Sequence, residues 1–277
     1  MDISEASFQI IADLLEARTG QHLTESRRWR VNSALAGIFR AHGISNVDQL
    51  VCLLAAPPPR GPDSPDLAQE VVEALLNNET YFFRESKHFD FLRQQALAAR
   101  GRTAMFRVWS AASSSGEEAY SIAMVLADLC ASGHVADNWS VVGTDISEKV
   151  LRHAVTGIFP LSRLQRVSPQ RLKRYCLRGD DEAEGLVKMN AHLTSHVQFG
   201  QLNLCEPIDL PGIFDFIFLR NVMIYFDQDT KRQVVDAVLS KLRPGGLFFT
   251  GMAEGRLSCQ TPLQPLASGV YRKPTHD

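Results

Sequence analysis

Cysteine is sparse in this chain of 277 residues. Its five positions, Cys52, Cys130, Cys176, Cys205 and Cys259, are odd in number and never form a C-x-x-C pair, which argues against a disulfide framework and a zinc ribbon. Buried reduced thiols are expected instead. The eight histidines are dispersed and read as structural or surface residues, so no metal is expected. Long hydrophobic runs are also missing. The apolar stretch 213–219 is far too short to span a bilayer, and "MDISEASFQIIADLLEARTG" forms an acidic amphipathic helix without a signal-peptide core. A cytoplasmic protein with no direct membrane insertion is therefore expected. A basic excess is lacking too, since the formal net charge is −2, which argues against a general nucleic-acid binder. Internal repeats and low-complexity segments are not seen.

With 45% apolar and 22% charged residues, the chain can bury a substantial core in one large or two modest domains. Over residues 1–54, apolar positions such as Phe8, Ile11, Leu14, Leu15, Val31, Leu35, Ile38 and Phe39 recur at helical spacing, with Gly20 and Gly43 as stops. "AAPPPRGPDSPD" (55–66) reads as an exposed loop, and "LAQEVVEALLN" as one more helix. A small all-α domain over 1–76 results, followed by a linker over 77–103. From residue 104 to 277 short β-rich runs alternate with helices, which predicts a mostly parallel sheet with helices on both faces. The alternation lapses between about 160 and 202, where "RYCLR", "GLVKMN" and "VQFGQLN" predict a small antiparallel insert.

In a doubly wound sheet, ligands bind beyond the carboxyl ends of the strands, and the first strand-to-helix turn is the usual cradle. That turn reads "RVWSAASSSGEEAYS" and lacks the glycines of G-x-G-x-x-G; it has one, Gly116, followed by Glu117 and Glu118. Two carboxylates repel a phosphate but suit a cationic ligand, and the sulfonium and amino groups of S-adenosylmethionine fit that description. Helix N-termini also favour acids through the dipole alone. Asp145 ends the second strand in "VVGTDIS", where an acid commonly accepts hydrogen bonds from ribose hydroxyls; the alternative is an N-cap role for Asp145, which Ser147 can fill instead. A later strand ends at Arg220 and Asn221 in "FDFIFLRNVMIYF", followed by Tyr225 and then "LRPGGLFFTGM".

The stretches "NNETYFFRESKHF", "WSAASSSGEEAYSIAM", "GTDIS", "VQFGQLNL" and "FDFIFLRNVMIYFD" resemble the CheR-type chemotaxis receptor methyltransferases. "TGQHLTESRRWRVNSALAGIFRAHGI" resembles that family's receptor-facing domain, so the likeness covers nearly the whole chain. It implies a Rossmann-like S-adenosylmethionine-dependent methyltransferase fold with a small all-α N-terminal domain and an antiparallel β insert. The implied activity is methylation of glutamate side chains on chemoreceptors, giving methyl esters for sensory adaptation and S-adenosylhomocysteine as product. The implied cofactor-pocket residues are Asn78, Thr80 and Arg84 from the linker, Glu118 toward the methionine part, Asp145 at the ribose, Asn203 and Leu204 at the adenine, and Arg220 and Asn221 in the same cleft. Arg84 is also implied near the transferred methyl, and Tyr225 as the family's active-site tyrosine. "ASSSGEEAYS" departs from the family's Ser-Thr-Gly-Glu-Glu-Pro-Tyr-Ser at Ser115 and Ala119, with size and polarity kept. "LRGDDEAEGLVKMN" resembles the β-subdomain that in some members docks a receptor tail peptide.

A glutamate with a pKa near ~4.3 is already ionised at neutral pH, so methylating it needs alignment rather than a general base. Arg84 and Tyr225 suit an anionic acceptor. Arg27, Arg28 and Arg30 in "ESRRWR" form a basic cluster that is expected to steer toward acidic receptor helices, and the protein is expected to act as a monomer. Two other readings are carried: a sensor or scaffold that binds the cofactor without turnover, and a dehydrogenase with an irregular fingerprint. Turnover discriminates the first, and the paired acids and missing glycines disfavour the second.

Overall fold

The computed structural model describes residues 3–56, 66–99, 105–255 and 257–275, so most of the proline-rich stretch and residues 100–103 of the expected linker lie outside the described residues. The chain divides into two compact units, Met1–Asn77 with Tyr225–Thr230, and Asn78–Ile224 with Lys231–Asp277.

In the first unit, α1 (Glu5–Thr19) starts at Ser4, whose side chain accepts from the Ser7 amide, and stops at Gly20 in the left-handed conformation. A 3-10 turn over Glu25–Arg27 leads into α2 (Trp29–His42), which ends at a left-handed Gly43. Asn46 and Asp66 cap α3 (Val47–Leu54) and α4 (Leu67–Leu75) by accepting from Gln49 N and Gln69 N. The helical spacing seen in the sequence converges on one core that includes Phe8, Ile11, Val31, Leu35, Leu50 and Val71.

The second unit opens with α5 (Lys87–Ala98), β1 (Phe106–Ser110), α6 (Glu117–Ala131), β2 (Trp139–Asp145) and α7 (Glu148–Thr156). There follow β3 (Ile158–Pro160), α8 (Pro169–Tyr175), β4 (Cys176–Arg178), β5 (Leu186–Met189), α9 (Ala191–Thr194), β6 (Val197–Gln201) and β7 (Phe214–Leu219). Then come α10 (Gln228–Ser240), β8 (Leu242–Thr250), β9 (Gln264–Ala267) and β10 (Val270–Arg272). Seven strands form one sheet in the order β6-β2-β1-β7-β8-β10-β9. The first five are parallel, and β10 and β9 add an antiparallel edge. Every residue of β7 is buried, as a central strand covered on both faces requires. The chain begins in mid-sheet, runs outward through β2 and β6, then returns to β7 on the other side of β1. That reversal opens a crevice at the carboxyl ends of β1 and β7.

The insert differs from its expected composition. β3, β5 and β4 form a three-stranded antiparallel sheet, whereas "VQFGQ" becomes β6 and pairs in parallel with β2. Phe199 is the physical reason. Its ring lies where a Cβ on Gly143 would come within 2.6 Å, so glycine in β2 lets β6 close onto the main sheet. The cysteines differ as well: Cys52 and Cys205 are exposed and Cys130, Cys176 and Cys259 half-buried, so the buried-thiol expectation is corrected. Among the described residues, no helix is long and apolar enough to cross a membrane.

Candidate active site

The turn after β1 is built by backbone bonds to its neighbours in the sheet. Ala111 N donates to Phe218 O at 2.8 Å and Ser113 N to Thr144 O at 2.8 Å, which carries the sheet pairing past the strand end. Ser114 (φ 50°) and Gly116 (φ 96°) then take positive φ. A Cβ on Gly116 would sit 3.0 Å from the Ala154 Cβ and 3.1 Å from the Phe199 ring, so the single glycine stands where both conformation and space demand it.

The two acids that follow do different things, because adjacent helical residues point about 100° apart. Glu117 is buried; its carboxylate accepts from Ser115 Oγ at 2.6 Å and from Arg163 Nη1 at 3.1 Å. Glu118 turns toward β7, where it accepts from Ser110 Oγ at 2.7 Å and Arg220 Nη1 at 2.8 Å. Asp145, at the end of β2, accepts from Ser114 N at 2.8 Å and Ser147 N at 3.0 Å, so one carboxylate pins two turns. Ser147 caps α7 through its own hydroxyl, at 3.4 Å from Val150 N.

Arg220 is the hub of the crevice. Its guanidinium is almost wholly buried and reaches Glu118, the Arg84 carbonyl at 2.5 Å and Glu85 Oε2 at 3.1 Å, above the Phe89 ring at 5.9 Å. Two carboxylates balance the buried cation, as its desolvation requires. The segment 78–85 is held along its backbone. Ser114 Oγ donates to Asn78 O at 2.8 Å, Arg163 Nη1 to Thr80 O at 3.0 Å, and Ser121 Oγ accepts from Phe83 N at 3.0 Å. Phe83 (φ 55°) and Glu85 (φ 58°) flank Arg84 in the left-handed region, and backbone of this kind costs about 1–3 kcal/mol per residue and clusters at functional sites. Arg84 itself donates to Glu79 O at 3.0 Å and lies 5.5 Å from the Tyr81 ring centre.

Three bonded groups result: Asn78 O with Ser114 and Asp145, Thr80 O with Arg163 and Glu117, and Arg84 O with Arg220, Glu85 and Glu118; Asn78, Thr80 and Arg84 enter them through their carbonyls. Asn203 and Leu204 follow β6, next to Asp145: Leu202 N donates to Asp145 O at 3.0 Å, and the Asn203 side chain accepts from Cys205 N at 3.1 Å and donates to Glu206 at 3.0 Å. Asn221 follows Arg220 with φ 61°.

Residues 78–269 match the family profile described as "CheR methyltransferase, SAM binding domain". The chain is 41% identical over 253 residues to the chemotaxis protein methyltransferase of Salmonella typhimurium, covering 91% of this chain and 84% of that one. It is 39% identical over 253 residues to the Escherichia coli protein of the same name (91% and 85%), and 35% over 265 residues to chemotaxis protein methyltransferase 2 of Pseudomonas aeruginosa (95% and 91%). The chain belongs to the CheR methyltransferase family. Its cofactor is S-adenosylmethionine, and the donor set of the crevice fits that group. Asp145 stands at the end of β2 and Glu118 in the first turn of the helix after β1, and carboxylates are the acceptors that an ammonium or a ribose hydroxyl requires. Ser113 Oγ, buried in the same turn without a hydrogen-bond partner, and the unpaired Arg220 Nε are further polar atoms in this wall.

Several residues of this CheR crevice escaped the sequence reading. Ser114 and Arg163 act through carbonyls, a role with no sequence signature. Glu85 was visible inside "NETYFFRE" but was not singled out. Glu254, buried after β8, carries the signal that marked Asp145, an acid just beyond an apolar strand. Burial pushes its carboxyl up to about 7, against the opposing pull of the Val222, Asn221 and Met223 amides and of Lys231. His88 is buried between Glu85 and the Ser268 carbonyl; desolvation and Arg220 hold its pKa below the usual histidine range.

The remaining residues belong to the helical unit. Tyr225 Oη accepts from Asn77 Nδ2 at 2.7 Å, its carbonyl accepts from His22 N at 2.8 Å, and the Arg27 guanidinium lies 4.6 Å from its ring centre. Arg28 is committed internally, to Glu5 at 2.7 Å, Glu25 at 2.6 Å and Ile3 O at 2.6 Å. Arg30 is half-buried, and Trp29 beside it is 75% exposed.

Proposed function

We propose that this methyltransferase esterifies glutamate side chains on the cytoplasmic domains of chemoreceptors. The observation that carries this reading is the match, over nine-tenths of the chain, to proteins named chemotaxis protein methyltransferase. Bound in the crevice, S-adenosylmethionine supplies an activated methyl group on a sulfonium. The chain's own residues bind and align. Asp145 receives the ribose hydroxyls, Glu118 the methionine ammonium, and Asn203 and Leu204 border the adenine. Asn78 and Thr80 line the cleft from the linker 77–103, with Arg220 and Asn221 on its β7 side. Arg84 and Tyr225 are carried over each by its own motif as groups suited to an anionic acceptor, Arg84 by charged hydrogen bonds and Tyr225 by its hydroxyl. No residue needs to remove a proton, because the acceptor is already an anion.

The helical domain 1–76 is the receptor-facing part. Arg27 and Arg30 with the exposed Trp29 offer cations and a large amphipathic side chain on one short segment, a composition enriched at protein-binding hot spots. Arg28 supports that segment from within through its bonds to Glu5 and Glu25.

The reading is tested by the bond formed. Receptor labelled from a tritiated methyl donor should release volatile methanol in mild alkali. Label that stays on the polypeptide through alkali rules out the ester while leaving the methyltransferase assignment intact.

A further inference from the structure

Glu254 stands in the turn after β8 and is 3% exposed. Its Oε1 accepts from Val222 N at 3.1 Å, and the amides of Asn221 and Met223 face the same carboxylate. Three successive amides around a left-handed residue, here Asn221 at φ 61°, form a concave anion-binding nest. Such nests commonly receive an external anion. This one is filled from within the chain.

The fit continues on both sides of the carboxylate. Glu254 N donates to Gly251 O at 3.1 Å, closing the turn that carries it. A Cβ on Gly251 would come within 2.6 Å of Asn221 Nδ2, so glycine there admits the Asn221 side chain. Oε2 is buried without a hydrogen-bond partner, which leaves the amides as the main polar contacts of the group. Lys231 of α10 is the charged group that faces it, and Arg220, the residue before the nest, is engaged by Glu85 and Glu118.

We propose that Glu254 is a positioning residue of the cofactor cleft, whose carboxylate fills the 221–223 nest and holds Asn221 and the Arg220 junction in their binding conformation. The proposal rests on the reading of Asn221 as a cleft residue. An ionised carboxylate attracts amides more strongly than a protonated one. Because burial raises this carboxyl to about 7, the nest tightens as the pH rises through neutrality.

The test is calorimetric binding of S-adenosylhomocysteine from pH 6 to 8.5, with hydrogen exchange of the 221–223 amides in the ligand-free protein. In the wild type, affinity and amide protection should rise together through a step near neutral pH. Glu254→Gln should flatten both profiles and weaken binding about tenfold at pH 8, the size expected when a charged acceptor becomes neutral. Lys231→Met, which removes the facing cation and leaves the nest intact, should move the step to higher pH. Wild-type affinity and protection in Glu254→Gln, or a step that survives in it, overturns the proposal. Should Glu254→Gln fail to fold, an unmoved midpoint in Lys231→Met overturns it equally. Full affinity in Asn221→Ala overturns the cleft reading and the proposal together, whereas weak binding in Asn221→Ala beside wild-type behaviour in Glu254→Gln overturns the proposal alone.

Discussion

Asp145 shows how one side chain can serve scaffold and ligand together. Its carboxylate orients Ser114 N and Ser147 N, so the turn after β1 and the start of α7 are set by the group proposed to receive the ribose. Asp145→Ala should weaken S-adenosylhomocysteine by about 1.5–3 kcal/mol, the worth of hydrogen bonds to a charged acceptor, and Asp145→Asn by less because one acceptor oxygen remains. Calorimetry on the folded variants decides, and unchanged affinity in Asp145→Ala would remove the ribose role. The neighbouring acids show what a sequence hides at this scale. Glu117 and Glu118 read as one negative site, yet helical geometry sends Glu117 to Arg163 and Glu118 to Arg220. Their residue types were legible, but the cations that meet them lie 46 and 102 positions away.

At the scale of elements, the basic segment before α2 is the clearest case of mixed purposes. Arg28 ties Glu5 of α1 to Glu25, while Trp29 projects into solvent. Arg28→Ala should lower the melting temperature of the protein and leave cofactor affinity intact. Trp29→Ala combined with Arg30→Ala should leave melting unchanged and slow receptor methylation, most at low ionic strength where exposed charge is least screened. Thermal melts and initial rates at two salt concentrations separate the effects; equal rates for the double variant and wild type would make the segment a solvated face without a receptor role. The long helices were readable because their periodicity extends over enough residues, and β1, β2, β7 and the second half of β8 because each is a short apolar run set between helical stretches. The insert strands β3 and β4 have three residues each, too few to show alternation. The β9–β10 hairpin was missed for the same reason. The sequence pattern places β6 in the insert because the pairing partner is a tertiary property, decided here by Phe199 against Gly143.

Over the whole molecule, two buried groups pull the pH dependence of stability in opposite directions. Glu254 has its carboxyl raised from 4.5 to about 7, so the folded state binds more protons there, and the associated stability is present below 4.5 and lost as pH rises through 7. His88 is held below its usual 6.5, so its contribution is complete above 6.5 and lost as pH falls below it. Glu254→Gln should therefore gain on the wild type in denaturant unfolding as pH rises from 4.5 to 7, then keep a constant advantage. A parallel pair of curves would show that Glu254 does not titrate in that window. The ionised acid thus costs global stability where it best orders the Asn221 loop, a trade common at functional sites.

Cys205 adds a practical possibility. It is exposed immediately after Asn203 and Leu204, and its amide is fixed on the Asn203 side chain. A thiol-reactive dye coupled there, in a background with the other exposed cysteine, Cys52, replaced by serine, would sit at the rim of the proposed adenine side. Arrival and departure of the cofactor would then appear as a change in fluorescence, followed in real time in a stopped-flow cell.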